Sequence, residues 1–183
     1  MNNYTTSTAP KAAQGYDNLA AVGKTHTIGI AEQKIARAPD KLVTLGLGSC
    51  VGVILFDPVL KLGGMVHIML PSSPQGGATF NRSKFADTGI PELLRQMMQN
   101  GARPSRLIAK LAGGAHMFNT MYSNDALNVG ERNAQACNKI LRAHAITIAA
   151  EDTGGTSGRS IEFCCETSVL QVRTVSPRNI RLL

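Results

Sequence analysis

The chain is 183 residues long with a net charge of +7, a length that suits one domain, or one domain with a tail. Its 43% apolar and 17% charged residues are a globular rather than a disordered composition. No apolar run approaches the roughly 18 to 20 residues of a membrane span, so membrane insertion is not expected.

The 19 Lys and Arg are scattered and are not interleaved with aromatics, which argues against direct nucleic-acid binding. Glycine is abundant at 18, which signals tight turns or close backbone approach.

Met1–Lys24 is rich in Asn, Thr, Ser, Ala and Gln and is expected to be a flexible tail. The domain is expected over residues 25–183. Thr25–Ala36 alternates in part, through Ile28, Ile30 and Ile35, and is predicted to be extended. Leu42–Leu47 is predicted extended up to Gly46 and Gly48. Val51–Phe56 is a continuous apolar run closed by the turn signal Asp57-Pro58. Met65–Leu70 is a second such run, opened by Gly63-Gly64 and stopped by Pro71. Ser72–Ala78 reads as a loop.

The period then changes. Leu93, Leu94, Met97 and Met98 recur at helical spacing behind the capping candidates Asp87 and Thr88, and Asn100-Gly101 ends the helix. Arg106–Leu111 is predicted to be a buried strand ending in Gly113-Gly114. Glu131–His144 is predicted to be a second helix, with Ala134, Cys137, Ile140 and Leu141 on one stripe. Ala145–Ala150 reads as a strand stopped before Gly154-Gly155. Ser160–Cys164 and Val169–Val175 read as an antiparallel pair. A glycine is expected in the turn between them, where the chain has Glu166-Thr-Ser168. The expected fold is α/β: a single compact domain, a strand-rich mixed layered sandwich with two main helices.

The cysteines are Cys50, Cys137, Cys164 and Cys165, and none forms a Cys-x-x-Cys pair. The N-terminus lacks an apolar signal segment. A reducing cytoplasm is therefore expected, without a disulfide framework. His26, His67, His116 and His144 stand apart, so no metal site is expected.

Thr44-Leu-Gly-Leu-Gly-Ser-Cys50 is the most informative stretch. Its glycines let backbone N–H groups approach a ligand, and such groups stabilise oxyanions. A thiol at a polarised turn can have a lowered pKa. From these residues alone Cys50 reads either as a nucleophile or as a small buried hydrophobe. His67 interrupts the apolar run Gly64–Leu70. The short connection between the two runs lets them pair as a hairpin, which brings Cys50 and His67 to neighbouring positions. An imidazole there would deprotonate the thiol and later protonate a leaving amine.

Leu45-Gly-Leu-Gly-Ser-Cys-Val-Gly-Val53, Asp57-Pro58 and Gly63-Gly-Met-Val-His-Ile-Met-Leu-Pro71 closely resemble the CheD family, the chemoreceptor glutamine deamidases of bacterial and archaeal chemotaxis. Phe85-Ala-Asp87, Ala109-Lys-Leu-Ala-Gly-Gly-Ala115, Met117-Phe118, Gly130-Glu-Arg-Asn133 and Asp152–Arg159 agree as well. The resemblance spans Thr25 to Val175.

The resemblance implies a catalytic triad of Cys50 as nucleophile, His67 as general base and acid, and Thr44 as the group that orients the imidazole. It implies hydrolysis of a receptor glutamine to glutamate with loss of ammonia, without a metal or organic cofactor. The backbone amides of Gly48, Ser49 and Cys50 are the candidate oxyanion donors. The implied partners are the cytoplasmic helical domain of a chemoreceptor, as substrate, and a CheC-type response-regulator phosphatase. A chain that only binds and modulates that phosphatase is the alternative reading, although it would have no need of the full triad.

Other motifs read structurally. Gly113-Gly114 and Gly154-Gly155 match no P-loop and are expected to be turns. Arg132 and Arg159 either contact partners or brace the fold.

Overall fold

A computed structural model describes residues 22–75, 79–117, 128–175 and 178–183. Along these the chain forms β1 (Thr25–Ile28), β2 (Gln33–Arg37), β3 (Lys41–Leu47), β4 (Val51–Asp57), β5 (Leu62–Ile68), α1 (Ala86–Gln99) and β6 (Ile108–Gly113). It continues with α2 (Val129–Ala143), β7 (Thr147–Thr153), β8 (Arg159–Cys164), β9 (Leu170–Thr174) and β10 (Asn179–Leu182). One sheet has the strand order β1-β3-β8-β9-β10, and the other β2-β5-β4-β6-β7. Both are mixed: β1 and β3 are parallel, as are β6 and β7, and the remaining pairs are antiparallel.

The layers are sheet, sheet and helices. Successive strand residues face opposite sides, so β4 serves two cores at once. Val51, Val53 and Leu55 pack with Ile90, Leu93, Met97, Ala134, Cys137 and Leu141 from the helices. Ile54 and Phe56 pack with Leu42, Leu47, Ile161 and Phe163 from the other sheet. Phe56 and Phe163 meet edge to face at 5.2 Å between ring centroids. A strand covered on both sides reads as an unbroken apolar run, and all seven residues of β4 are buried. The expected strand-rich α/β sandwich with two main helices is therefore the fold observed.

Several boundaries differ from expectation for physical reasons. Thr25–Ala36 is two strands in different sheets, broken where Ala31 takes a φ of 58°. Gly63 and Gly64 lie inside β5 rather than in the turn before it. A Cβ on Gly63 would stand 2.9 Å from Cys165 Sγ, and one on Gly64 would stand 2.9 Å from Leu93 Cδ1. Glycine there lets the opposite sheet and α1 close onto β5. Helix α1 is entered from Phe85, and Asp87 instead accepts from the amide and hydroxyl of Ser73. The turn expected to need glycine places Ser168 at a φ of 58°. The last strand, β10, is exposed along its length and offers no apolar alternation to read.

Residues 1–21 of the expected tail lie outside the described residues. Lys24 already belongs to the domain edge, since its amide donates to Asp40 Oδ1 at 2.9 Å.

Candidate active site

Strands β3 and β4 belong to different sheets, so Gly48–Cys50 carries the chain from one layer to the other. A bulge between Thr44 and Leu47 prepares this crossing, with Gly46 at a φ of 71°. The three carbonyls of the turn are all held. Gly48 O accepts from Ala115 N at 2.8 Å, and Cys50 O accepts from Gly114 N at 2.7 Å. Ser49 O accepts from Asn133 Nδ2 at 2.9 Å. In a trans peptide the N–H points away from its carbonyl. Pinning Gly48 O and Ser49 O therefore turns the amides of Ser49 and Cys50 away from Ala115 and Asn133. Of the expected oxyanion donors, Ser49 is thus oriented by its neighbours. Cys50 has the better claim to second place than Gly48.

Glycine at 113 is what permits this contact. A Cβ there would overlap Cys50 O, and the residue has a φ of 116°. Gly113, Gly114, Gly154 and Gly155 all have positive φ, but the expected turn at Gly113-Gly114 is not formed: Gly113 is the last paired residue of β6, and Gly154-Gly155 follow the end of β7. Arg159 braces the same region from within. Its Nη1 donates to Gly113 O at 2.8 Å and its Nη2 to Gly154 O at 2.7 Å, while Nε lies 3.0 Å from Asp152 Oδ1.

His67 sits on β5 directly opposite Gly52 of β4. Both face the layer between the sheets, and Gly52 leaves room there. A Cβ on Gly52 would stand 2.5 Å from Ile161 Cδ1 and 3.6 Å from Thr44 Cγ2. Thr44 meets His67 across this gap: its Oγ1 lies 2.8 Å from His67 Nδ1. The same hydroxyl donates to Ile28 O at 2.8 Å. A threonine hydroxyl has one proton. With that proton on Ile28 O, the hydroxyl accepts from His67, so Nδ1 carries the imidazole proton. Nε2 is left with its lone pair free, the tautomer a base needs.

Cys50 stands just before β4, next to the Val51–Ile68 pair that ends the ladder, and its side chain lies against the inter-sheet core that His67 also faces. It is half-buried and packs on the inter-sheet core. His67 Nε2 is buried and has no hydrogen-bond partner among the described residues. Both side chains border the inter-sheet layer, and no thiol–imidazole hydrogen bond joins them. Catalytic hydrogen bonds are commonly long before substrate binds. Burial pushes the Cys50 thiol up from its ordinary pKa and holds His67 below the usual imidazole value. Both shifts favour the uncharged forms. Burial at Cys50 thus works against the lowered thiol pKa that a polarised turn permits. Among the described residues no group of three or more His, Cys, Asp or Glu stands together as a metal cluster.

With this geometry in view, the comparisons with known proteins are decisive. The chain is 50% identical over 148 residues to the probable chemoreceptor glutamine deamidase CheD of Caldanaerobacter subterraneus subsp. tengcongensis, covering 81% of this chain and 91% of that one. It is 51% identical to the same-named protein of Syntrophomonas wolfei, covering 81% and 92%. The profile described as CheD chemotactic sensory transduction matches residues 69–174. The chain belongs to the CheD family.

The chemoreceptor glutamine deamidase CheD of Halalkalibacterium halodurans is 48% identical over 149 residues, covering 81% of this chain and 92% of its own. Among solved structures, the Bacillus licheniformis hypothetical protein YfiH is similar over 66% of this chain and 49% of its own, with 15% identity and a TM-score of 0.42, too slight a likeness to argue from. The CheD profile begins two residues past His67 and so does not cover Thr44, Cys50 or His67. No helix among the described residues is long and apolar enough to cross a membrane.

One residue beside this candidate site was assigned no role from the sequence. Asn133 is wholly buried on α2 and reaches the carbonyls on both sides of the site. Its signal is a polar side chain on a helix stripe otherwise made of Gly130, Ala134, Cys137 and Leu141.

Proposed function

We propose that this chain is a chemoreceptor glutamine deamidase. It acts in the cytoplasm on glutamines of the receptor's helical domain, with Cys50, His67 and Thr44 as its triad. The carrying observation is the Thr44–His67 hydrogen bond of 2.8 Å, because it leaves Nε2 as the free base at the inter-sheet layer that Cys50 also borders.

The steps balance without a metal or organic cofactor. His67 Nε2 takes the thiol proton as Cys50 Sγ attacks the glutamine Cδ. The carboxamide oxygen becomes an oxyanion, stabilised by the amides of the turn, Ser49 foremost. The imidazolium returns its proton to the leaving nitrogen, the C–N bond breaks, and ammonia departs from a thioester. His67 then deprotonates water, which attacks the thioester carbonyl and releases glutamate and the free thiol. Each turnover adds one negative charge to the receptor and creates a methylatable side chain, which biases its signalling equilibrium.

The test uses a chemoreceptor cytoplasmic fragment, with glutamine-to-glutamate conversion read by mass spectrometry and ammonia measured in parallel. Wild type converts specific glutamines, and Cys50→Ala converts none. No conversion by wild type, or equal conversion by both, sinks the reading. In a second arm, a CheC-type phosphatase that binds Cys50→Ala as tightly as wild type supports a separate regulatory role.

A further inference from the structure

Strands β4 and β5 stop pairing at Val51 and Ile68, the last partners of their ladder. One step beyond, Cys50 and Met69 would face each other, and there the two chains part. Met69 N turns instead to Lys84 O at 2.9 Å. Asn133 fills the opening. Its Nδ2 donates to Ser49 O at 2.9 Å and to Met69 O at 2.8 Å. One nitrogen thus ties the residue before the nucleophile to the residue two beyond the base.

The chemistry of the position selects this side chain. Two carbonyls this close can be joined by one nitrogen that carries two donors. A carboxamide supplies both N–H bonds without bringing a buried charge. The requirement also settles the amide orientation, because a flipped group would set oxygen against two carbonyls. The remaining atom, Oδ1, is buried and has no partner among the described residues. An unpaired buried acceptor carries a desolvation cost. Packing alone gives no reason for it on a stripe where Ala134 and Cys137 suffice.

We propose that Asn133 is a positioning residue: it fixes the spacing between the Cys50 turn and the end of the His67 strand, and so sets the thiol–imidazole geometry. The rate part of this inference rests on the deamidase reading, and the thiol part does not.

The experiment compares Asn133→Ala, Asn133→Ser and the isosteric Asn133→Asp with Cys137→Ala, which perturbs the same buried stripe while leaving both carbonyl hydrogen bonds of Asn133 in place. For each folded variant, kcat and KM are measured on the receptor fragment. The pH dependence of Cys50 alkylation by iodoacetamide is measured without substrate. A shift of about 1 Å at a reacting group can cost about 10²-fold in rate. Asn133→Ala should therefore lose about 10²-fold in kcat with little change in KM. Its Cys50 alkylation should lose the inflection contributed by His67 and follow an isolated thiol. Asn133→Ser should fall between, and Cys137→Ala should keep both readouts at wild-type values.

Wild-type kcat and an unchanged alkylation profile in a folded Asn133→Ala overturn the proposal. So does failure of all three Asn133 variants to fold, since the residue is then a folding element. If wild type deamidates nothing, the alkylation comparison still decides for or against Asn133 while the deamidase reading falls.

Discussion

Thr44 and His67 lie in different sheets, and their side chains meet with Oγ1 2.8 Å from Nδ1. Because Thr44 gives its only proton to Ile28 O, the contact fixes the imidazole tautomer as well as its orientation. In the proposed triad, Thr44 would contribute hydrogen-bonding direction rather than charge. It is a neutral counterpart of the carboxylate found in other triads.

Thr44→Val should keep the shape and remove the acceptor. His67 Nδ1–H is then buried without a partner, a cost of about 1–3 kcal/mol in stability. With the tautomer free to change, kcat should fall about 10²-fold or more. Thr44→Ser restores the oxygen and should recover most of the rate. Steady-state ammonia release and thermal unfolding measure the two effects, and a Thr44→Val enzyme with wild-type kcat contradicts the assignment.

The pH profile follows from the two shifts. His67 is a base only when neutral, and burial holds it below the ordinary imidazole pKa of about 6.5. The acid limb of kcat/KM should therefore lie below that value. Burial raises the Cys50 thiol, so the neutral pair persists past the ordinary thiol value of about 8.5, and the alkaline limb should lie above it. The limbs belong to the pair, since the two groups titrate together. A rate that only rises through about 8.5, with no plateau before it, argues against activation by His67.

Stability obeys the same signs. The His67 contribution is full above about 6.5 and is lost as pH falls through its lowered folded value. The Cys50 contribution is present below the ordinary thiol value and is lost as pH rises through its raised one. Thermal unfolding of wild type should weaken on both sides of the plateau. Cys50→Ala should remove the alkaline loss that Cys50 contributes.

Two glycine substitutions separate backbone freedom from close approach. Gly46 has a φ of 71°, and beyond its chain neighbours no described atom lies within 4 Å of where a Cβ would stand. Gly46→Ala therefore meets only the backbone penalty of about 1–2 kcal/mol. Gly113→Ala meets that kind of strain and also drives a methyl into Cys50 O. Circular dichroism melts and ammonia assays should find Gly46→Ala folded and active. Gly113→Ala should be strongly destabilised, and its folded fraction should have lost kcat through displacement of the nucleophile turn.

The hairpin that carries Cys50 and His67 was legible because β4 and β5 are covered on both faces and read as apolar runs. Gly63 and Gly64 misled, because glycine signals a turn unless the neighbours that crowd it are known; here they are Cys165 and Phe163, and Leu93 and Met97. Thr44 came from family resemblance alone. Its spacing from Cys50 means nothing until β3 and β4 are known to lie in facing sheets, which puts a residue six positions away across from His67. Asn133 stands in a family motif but shows no role there, since its two acceptors come from segments distant in sequence.

The central claim is that Cys50 forms the covalent bond to the substrate, and the direct measurement is to trap that bond. Wild type is mixed with the receptor fragment, quenched in acid within the first turnover, digested and analysed by mass spectrometry. The account predicts a thioester joining the Cys50 peptide to a receptor peptide, short of one ammonia, that is lost with hydroxylamine and absent in Cys50→Ala. Continued glutamine-to-glutamate conversion by Cys50→Ala, with no adduct on Cys50 in wild type, would contradict it.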